Sequence, residues 1–203
     1  MAVTLLVWSA LGVYFVISIH QVGATTVVMP QWVPFRPGFT LPYLAMLLVA
    51  WLLPLAIADP AHFRACLRAR VYAFLMVAAL WIMIPTRLQR PPMPHGWGAE
   101  LYRWLAEIDP PHCAMPCGHV IGATAAAWFV GLEHPSWRWP LIGMLILGLP
   151  SIALVGQHRP NDILIGLAVT VVGIAIGHGL SAYGRTIQDE LHAGLPPVAR
   201  SSR

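Results

Sequence analysis

The stretch ILIGLAVTVVGIAIGHGLSAY, residues 163–183, decides the fold class of this chain because it contains no Asp, Glu, Lys or Arg. About 20 apolar residues in a helix are long enough to cross the hydrocarbon core of a bilayer. Only helices and closed barrels satisfy their backbone groups in lipid. Since the stretch is continuously apolar rather than alternating, it predicts a transmembrane α-helix.

Further apolar stretches predict five more transmembrane helices, at about residues 3–19, 41–58, 71–85, 118–132 and 140–156. The stretches at 71–85 and 118–132 are short, so each of these helices is expected to extend a few residues into its flanks. Hydrophobic residues make up 58% of the chain and charged residues 10%. A soluble domain carries about 25% charged residues, so the composition excludes a soluble protein. We predict an all-α fold, a polytopic membrane helix bundle with six transmembrane helices, forming a single domain over residues 1–203.

The distribution of arginine predicts how the bundle is oriented. All 12 basic residues are Arg, and seven of them fall on one side of the predicted membrane, including Arg64, Arg68 and Arg70 before the third span. The positive-inside rule favours this side as cytoplasmic, with both termini there. The absence of Lys indicates a bacterial protein, so we expect the inner membrane. The net charge of +4 is too scattered for a nucleic-acid partner.

The long polar loop that follows the third span contains a predicted amphipathic helix. One face carries Glu100, Arg103 and Glu107, and the other carries apolar residues at helical spacing: Trp97, Leu101, Trp104, Leu105 and Ile108. Such a helix is typical of the membrane interface, where Trp lies at headgroup level. It is either a connector resting on the membrane or a lid beside a lipid-entry slot. The tail, residues 184–203, is predicted to be flexible.

Ionisable residues are almost absent from the predicted spans, which argues against a transporter. They gather instead where spans meet the extracytoplasmic face, at residues 84–91, 115–119 and 156–162. His119 falls in a first helical turn, where unpaired N–H groups attract phosphate. His158 and Asp162 are four residues apart and are predicted to meet, which would leave one ring nitrogen of His158 free as a base or nucleophile. Two histidines, a carboxylate and several arginines favour phosphoryl transfer.

Three motifs in this order resemble the type 2 phosphatidic acid phosphatase superfamily, membrane enzymes that act on lipid phosphates. They are an Arg-Pro after a span (Arg90-Pro91), a Pro-x-x-His that opens a helix (Pro116 to His119) and a His-x-x-x-Asp (His158 to Asp162). The resemblance covers residues 71–183. The segment Tyr102-Arg103-Trp104-Leu105, followed by Asp109-Pro110-Pro111, is similar to the branch that includes inositol phosphorylceramide synthases.

The chain departs from this family at three positions. Met83 stands where a Lys is usual, Ile152 stands where an Arg is common, and Cys117 replaces a Ser. We therefore expect Arg87 and Arg159 to supply the missing positive charge. The departures concern substrate choice and catalytic competence more than the fold.

The resemblance implies a role for each residue that matches a motif. His158 would attack phosphorus and carry a phosphohistidine, with Asp162 stabilising its imidazolium. His119 would protonate the departing lipid oxygen. Side chains and backbone amides of five residues would hold the phosphate: Arg90, Arg87, Arg159, Cys117 and Gly118. The partners would be a lipid phosphate substrate and the bilayer, with no metal and no other cofactor.

Alternatives remain open from the sequence. Transfer to a hydroxyl acceptor would make the protein a lipid phosphotransferase, and loss of the missing charges would make it an inactive membrane scaffold of the same fold. A zinc site is a competing interpretation of four clustered residues: His112, Cys113, Cys117 and His119. A Cys113–Cys117 disulfide is a further alternative on an oxidising side of the membrane. The lipid and the oligomeric state are left undecided.

Overall fold

The computed structural model describes residues 12–21, 23–93, 95–96 and 98–193, with side chains as far as residue 180. The chain is mostly helical. The helices are α1 (residues 12–20 of the described chain) and α2 to α7: Thr40–Leu52, Pro60–Met83, Ala99–Ile108, His119–Glu133, Arg138–Leu154 and Pro160–Ala193. Most of the first predicted span, Trp97 and residues 194–203 lie outside the described residues.

Among the described residues, four helical segments are long and apolar enough to cross a membrane. The coarser prediction of a mostly helical chain with helices of membrane-spanning length is therefore confirmed. The four segments are Pro37–Ala56, Pro60–Met83, Pro135–Leu154 and Pro160–Leu180. The central helix α5 has 15 residues and is surrounded by protein, with Ala123, Ala126 and Phe129 fully buried. It is too short to count among those four, although it lies close to its predicted position.

Helix α3 begins 11 residues before the predicted third span, which is a correction to the sequence analysis. Asp59 caps the helix by accepting a hydrogen bond from the Ala61 N–H at 2.8 Å, and Pro60 suits the first turn. Arg64, Arg68 and Arg70 therefore lie on a helix and not in a cytoplasmic loop. The arginines lower the hydropathy of this segment, which is why the sequence placed the start at residue 71.

Small residues bring α3 and α7 into close contact. Ala65, Ala69 and Ala73 follow one face of α3, and Gly173 and Gly177 follow the facing side of α7. A Cβ added to Gly173 would lie 2.6 Å from the Ala69 carbonyl oxygen. Apolar side chains gain nothing by leaving lipid, so helices in membranes associate through such close packing. This contact fixes the start of α7 relative to α3.

Replacing Gly173 with alanine is expected to lower the free energy of unfolding by about 1–3 kcal/mol, because the new methyl group overlaps the α3 backbone. The control is Gly143→Ala on α6, where an added Cβ meets nothing within 4 Å. That substitution should leave stability unchanged or raise it by up to about 1 kcal/mol. Unfolding of both variants in detergent measures the difference, and equal stabilities would contradict the close α3–α7 packing.

Two short strands depart from the all-α prediction. β1 (Thr25–Val27) and β2 (Thr86–Leu88) pair in parallel, and Arg87 bridges to His112 beside them. The strands connect the two long loops at the end of the bundle where α1 and α3 finish. The amphipathic helix is present as α4, which buries Tyr102 and Leu105 and exposes Trp104. Helix α7 continues to Ala193, past residue 183 where the last span was predicted to end.

Candidate active site

The predicted site residues lie at one end of the bundle, where α5 and α7 both begin. His119 is the first residue of α5, and His158 lies in the turn between α6 and α7. The Cys117 N–H donates a hydrogen bond to the Asp162 carbonyl oxygen at 3.0 Å, which ties the two helix starts together. Gly166 permits this approach, because a Cβ there would lie 2.3 Å from the Cys117 carbonyl oxygen.

The two histidines are in direct contact, and the hydrogen bonds around them determine their tautomers. His158 Nδ1 lies 2.7 Å from the Ala114 carbonyl oxygen, which can only accept, so Nδ1 carries the proton. His158 Nε2 then has a lone pair in the neutral ring, and it lies 2.9 Å from His119 Nδ1, which donates to it. His119 Nε2 accepts from the Tyr43 hydroxyl at 2.9 Å. The chain runs from Tyr43 through both rings to Ala114.

Burial keeps His158 neutral. Burial and the adjacent His119 ring lower the pKa of His158 below its usual value near 6.5. The ring therefore presents its Nε2 lone pair at neutral pH, which is the form that a nucleophile or base requires. Burial also raises the pKa of the Cys117 thiol well above its usual value, so Cys117 stays protonated.

Asp162 does not make the predicted hydrogen bond with His158, and this is a correction. Its buried carboxylate instead accepts from Arg159, with Oδ1 at 2.8 Å from Nη2 and Oδ2 at 3.1 Å from Nε. The Asp162 carboxylate also accepts from the Arg159 backbone N–H at 2.9 Å. Asp162 thus caps the start of α7, and the carbonyl of Ala114 orients His158. The carboxylate still acts on the His158 ring through space, favouring its charged form.

The three predicted phosphate-binding arginines have other positions. Arg90 donates to the Ala106 carbonyl oxygen at 2.6 Å and to that of Asp109, so it caps the end of α4. Arg159 pairs with Asp162, and Arg87 is exposed in the middle of β2. The backbone N–H of His119 is directed to the Cys117 sulfur atom. The sulfur atom therefore takes up one of the N–H groups in the first turn of α5 that were expected to bind phosphate. Gly118 lies against the Trp81 ring and lines a cavity that both histidines also line.

A cavity of about 470 Å³ extends from the two histidines into the bundle. Most of its wall is apolar, and its polar groups are few: Tyr14, Tyr43, Arg70, Asp109, His119 and His158. Among the side chains that the structure describes, Arg70 is the one arginine on this wall. Asp109 Oδ1 accepts from the Tyr14 hydroxyl at 2.6 Å, and burial raises the pKa of this carboxyl group.

The lining of the cavity extends to the outer surface of the bundle. It includes Phe15, Trp51 and Leu75, which are exposed on α1, α2 and α3. Exposed apolar side chains on membrane-crossing helices contact acyl chains. A pocket with apolar walls and a few polar groups at one end suits an amphiphilic ligand.

The zinc site that the sequence offered as a competing interpretation is not assembled by its four residues. His112 lies beside β2, and Cys113 Sγ contacts Ser18 Oγ at 3.3 Å. Cys113 and Cys117 are free thiols, so the alternative of a disulfide between them is wrong in this structure. A different set does converge, because donor atoms of Cys117, His119 and His158 lie within 4.8 Å of one another, close enough to surround one metal ion.

Sequence reasoning missed Tyr43, Arg70, Asp109 and the Ala114 carbonyl. A tyrosine within a predicted span was a usable signal for Tyr43, since polar groups are costly there. Arg70 was expected just before the third span, where an arginine is common and gives no such signal. Nothing in the sequence indicates that a backbone carbonyl replaces Asp162 as the partner of His158.

Replacing Tyr43 with phenylalanine should weaken whatever proton transfer His119 performs, because His119 Nε2 loses its donor. We expect turnover to fall about tenfold, the value of one lost hydrogen bond to a charged or developing-charge group. The control is Tyr72→Phe, which removes a hydroxyl from a more exposed tyrosine of α3. Turnover is measured with lipid phosphate in detergent. Equal rates for Tyr43→Phe and wild type would show that the Tyr43 bond does not support His119.

Comparison of this chain with known protein families, curated proteins and solved structures finds no match.

Proposed function

We propose that this protein is a membrane lipid phosphatase that hydrolyses a lipid phosphate or diphosphate through a phosphohistidine, as a divergent member of the type 2 phosphatidic acid phosphatase superfamily. The single observation that carries the proposal is the contact between His119 and His158 on the wall of a largely apolar cavity. Two imidazoles from different helices, one with its lone pair free of a proton, suit nucleophilic attack followed by acid catalysis.

The proposed reaction has two steps. In the first, the bound lipid phosphate monoanion gives its proton to His119, His158 Nε2 forms a bond to phosphorus, and the bond from phosphorus to the lipid oxygen breaks. The His119 imidazolium protonates that oxygen through Nδ1–H and returns to the neutral ring. In the second, His119 accepts a proton from water, the water oxygen attacks phosphorus, and the N–P bond breaks to release phosphate. The ring nitrogens are 2.9 Å apart without substrate, so the rings must separate to admit the phosphoryl group.

The charge that stabilises the transferring group must also come from the protein. Arg90, Arg87 and Arg159 are proposed to contribute from the rim of the site, with Cys117 and Gly118 at the start of α5. Arg90 already donates to backbone carbonyl oxygens, and Arg159 already pairs with the Asp162 carboxylate. Both arginines therefore act on the phosphoryl group mainly through their electric field. Asp162 stabilises the His158 imidazolium through space, because Arg159 takes its hydrogen-bonding oxygens.

The membrane arrangement extends the four shown helices to six spans. Helices α1 and α5 are proposed as the additional spans, and α4 as an interfacial helix with Trp104 at headgroup level. The arginines of α3 and the chain termini would lie toward the cytoplasm, and the histidines would face the opposite side of a bacterial inner membrane. In this orientation lipid enters laterally, through the mouth near Trp51 and Leu75.

The test is release of inorganic phosphate by the purified protein from a panel of lipids: phosphatidic acid, phosphatidylglycerol phosphate and a polyprenyl diphosphate. We expect release from at least one of them. If a labelled donor instead passes its phosphoryl or head group to a hydroxyl acceptor, the protein is a lipid phosphotransferase. Neither release nor transfer would identify an inactive scaffold and contradict the proposal.

A second candidate function is metal-dependent hydrolysis, favoured by the convergence of Cys117, His119 and His158. The raised pKa of the Cys117 thiol opposes it, because metal binding requires the thiolate. The two candidates give opposite responses to metal. For the phosphohistidine reaction, added Zn²⁺ occupies the His158 lone pair and inhibits, and a chelator has no effect. For the metal-dependent reaction, a chelator abolishes turnover and Zn²⁺ restores it.

A further inference from the structure

Arg70 is a cation inside the bundle that the proposed reaction does not use. It lies ten residues after Pro60, which begins α3, and therefore about 15 Å into a helix about 36 Å long. Its side chain lines the same cavity as His119 and His158. A charged group at this depth in a membrane protein is costly, and such groups usually face a binding site or an ion pathway.

No residue that the structure describes neutralises Arg70. Within the described part of the chain, no carbonyl or carboxylate accepts a hydrogen bond from it, and no ion pair includes it. Asp109, the carboxyl group on the same cavity wall, is held by the Tyr14 hydroxyl instead. The buried thiol of Cys66, one turn away on α3, interacts with Arg70 through space but is a neutral group unless it loses its proton.

Two small residues make room for the guanidinium. A Cβ added to Gly122 of α5 would lie 3.3 Å from Arg70 Nη2 and 3.5 Å from the Ala50 methyl group of α2. Gly122 is one helical turn, about 5 Å, from His119 along α5, and Arg70 Nη2 lies beside Gly122. The unpaired donors of Arg70 and the two imidazoles therefore share one cavity.

We infer that Arg70 binds the phosphate oxygens of an anionic lipid that enters the cavity from the bilayer. A guanidinium presents paired N–H donors that match two oxygens of a phosphate. The apolar rim at Phe15, Trp51 and Leu75 accommodates the acyl chains. For the identity of the anion, the inference rests on the proposed function. Arg70 supplies the positive charge on the cavity wall that Arg87, Arg90 and Arg159 do not place there.

The experiment measures lipid binding without turnover, in the His158→Ala protein. Dioleoylphosphatidic acid is the probe, and native mass spectrometry gives its dissociation constant. Adding Arg70→Gln should raise this constant about tenfold or more, because a charge-assisted contact is lost. The matched control is Arg64→Gln, an exposed arginine on the same helix, which should change the constant by less than about twofold. Equal constants for the Arg70→Gln and Arg64→Gln proteins would overturn the inference.

Two further arms identify the ligand. Dioleoylglycerol, which has the same chains without phosphate, should bind equally with and without Arg70→Gln. Inorganic phosphate should bind far more weakly than phosphatidic acid. Arg70-dependent binding of inorganic phosphate as tight as that of phosphatidic acid would make the ligand a free anion and overturn the lipid assignment.

Stability without lipid guards against a purely structural role. Arg70→Gln and Arg70→Met should unfold at the same temperature as the parent protein or higher, since each removes an unpaired charge from an apolar site. A loss of lipid-free stability in both variants would show that Arg70 holds the bundle together and overturn the inference. Turnover distinguishes this inference from the proposed function. If lipid binding depends on Arg70 but wild type shows no turnover, the proposed hydrolysis is refuted and the anion site is retained. If wild type turns lipid over but binding does not depend on Arg70, the anion site is refuted and the proposed hydrolysis is retained.

Discussion

His158→Ala is expected to abolish phosphate release, with a loss of at least about 10³-fold, because the reaction loses the nitrogen that forms the bond to phosphorus. Wild type quenched during turnover of ³²P-labelled lipid phosphate should retain label in an N–P linkage, which is stable in base and lost in acid. The His158→Ala protein should retain none. Both phosphate release and retained label are measured on protein purified in detergent.

The matched control for this substitution is His112→Ala. His112 belongs to the same end of the bundle but lies beside β2, outside the cavity. We expect its turnover to remain within about twofold of wild type, as for a residue outside the network of the reacting groups. Turnover that survives His158→Ala unchanged would rule out the phosphohistidine mechanism, whatever the effect of His112→Ala.

His119→Ala is expected to slow turnover of a natural lipid phosphate by about 10²–10⁴-fold, the usual contribution of a positioned acid or base. The substitution affects both steps, because His119 first protonates the leaving oxygen and then activates water. A lipid phosphate analogue with a p-nitrophenol leaving group needs no protonation in the first step. With this analogue, His119→Ala should release p-nitrophenol in a rapid burst and then retain phosphate on His158.

The burst separates the role of His119 from a general loss of structure. A misfolded protein gives no burst with any leaving group, whereas His119→Ala should give about one p-nitrophenol per protein molecule if only its acid–base chemistry is lost. The Arg64→Gln protein provides the comparison, with full turnover of both substrates. Equal impairment of His119→Ala on both substrates and no burst would contradict the assignment of His119 as the acid.

The helices were predictable from sequence where hydropathy alone decides them. The last span was expected at residues 163–183, and α7 contains it, because lipid requires a helix of that length whatever surrounds it. The start of α3 was not predictable by the same rule. Arg64 reaches solvent and Arg70 faces a cavity, so their charges are tolerated within a helix whose hydropathy they reduce.

The candidate site was predictable in part for a similar reason. Motif order pointed to His119 and His158, and the structure brings them within 2.9 Å of each other. The partner of His158 was not predictable from its spacing to Asp162, because Arg159 lies closer along the chain and provides three donors for that carboxylate. Ala114 then reaches the free ring nitrogen from a loop 44 residues away in sequence.

The sequence by itself determined that the chain is mostly helical, that several helices are long and apolar enough to cross a membrane, and that two histidine motifs lie near helix ends. Apolar length and composition predict these features because they reflect the surroundings that a segment requires and not its partners in the fold. Only the tertiary structure decided which groups meet. Tyr43 on α2 contacts His119 of α5, and Arg70 on α3 lines the same cavity as both histidines. Such placements depend on how close-packed helices cross. That packing is set by small residues such as Gly122 and Gly166, whose role is visible only when a neighbouring helix is in place.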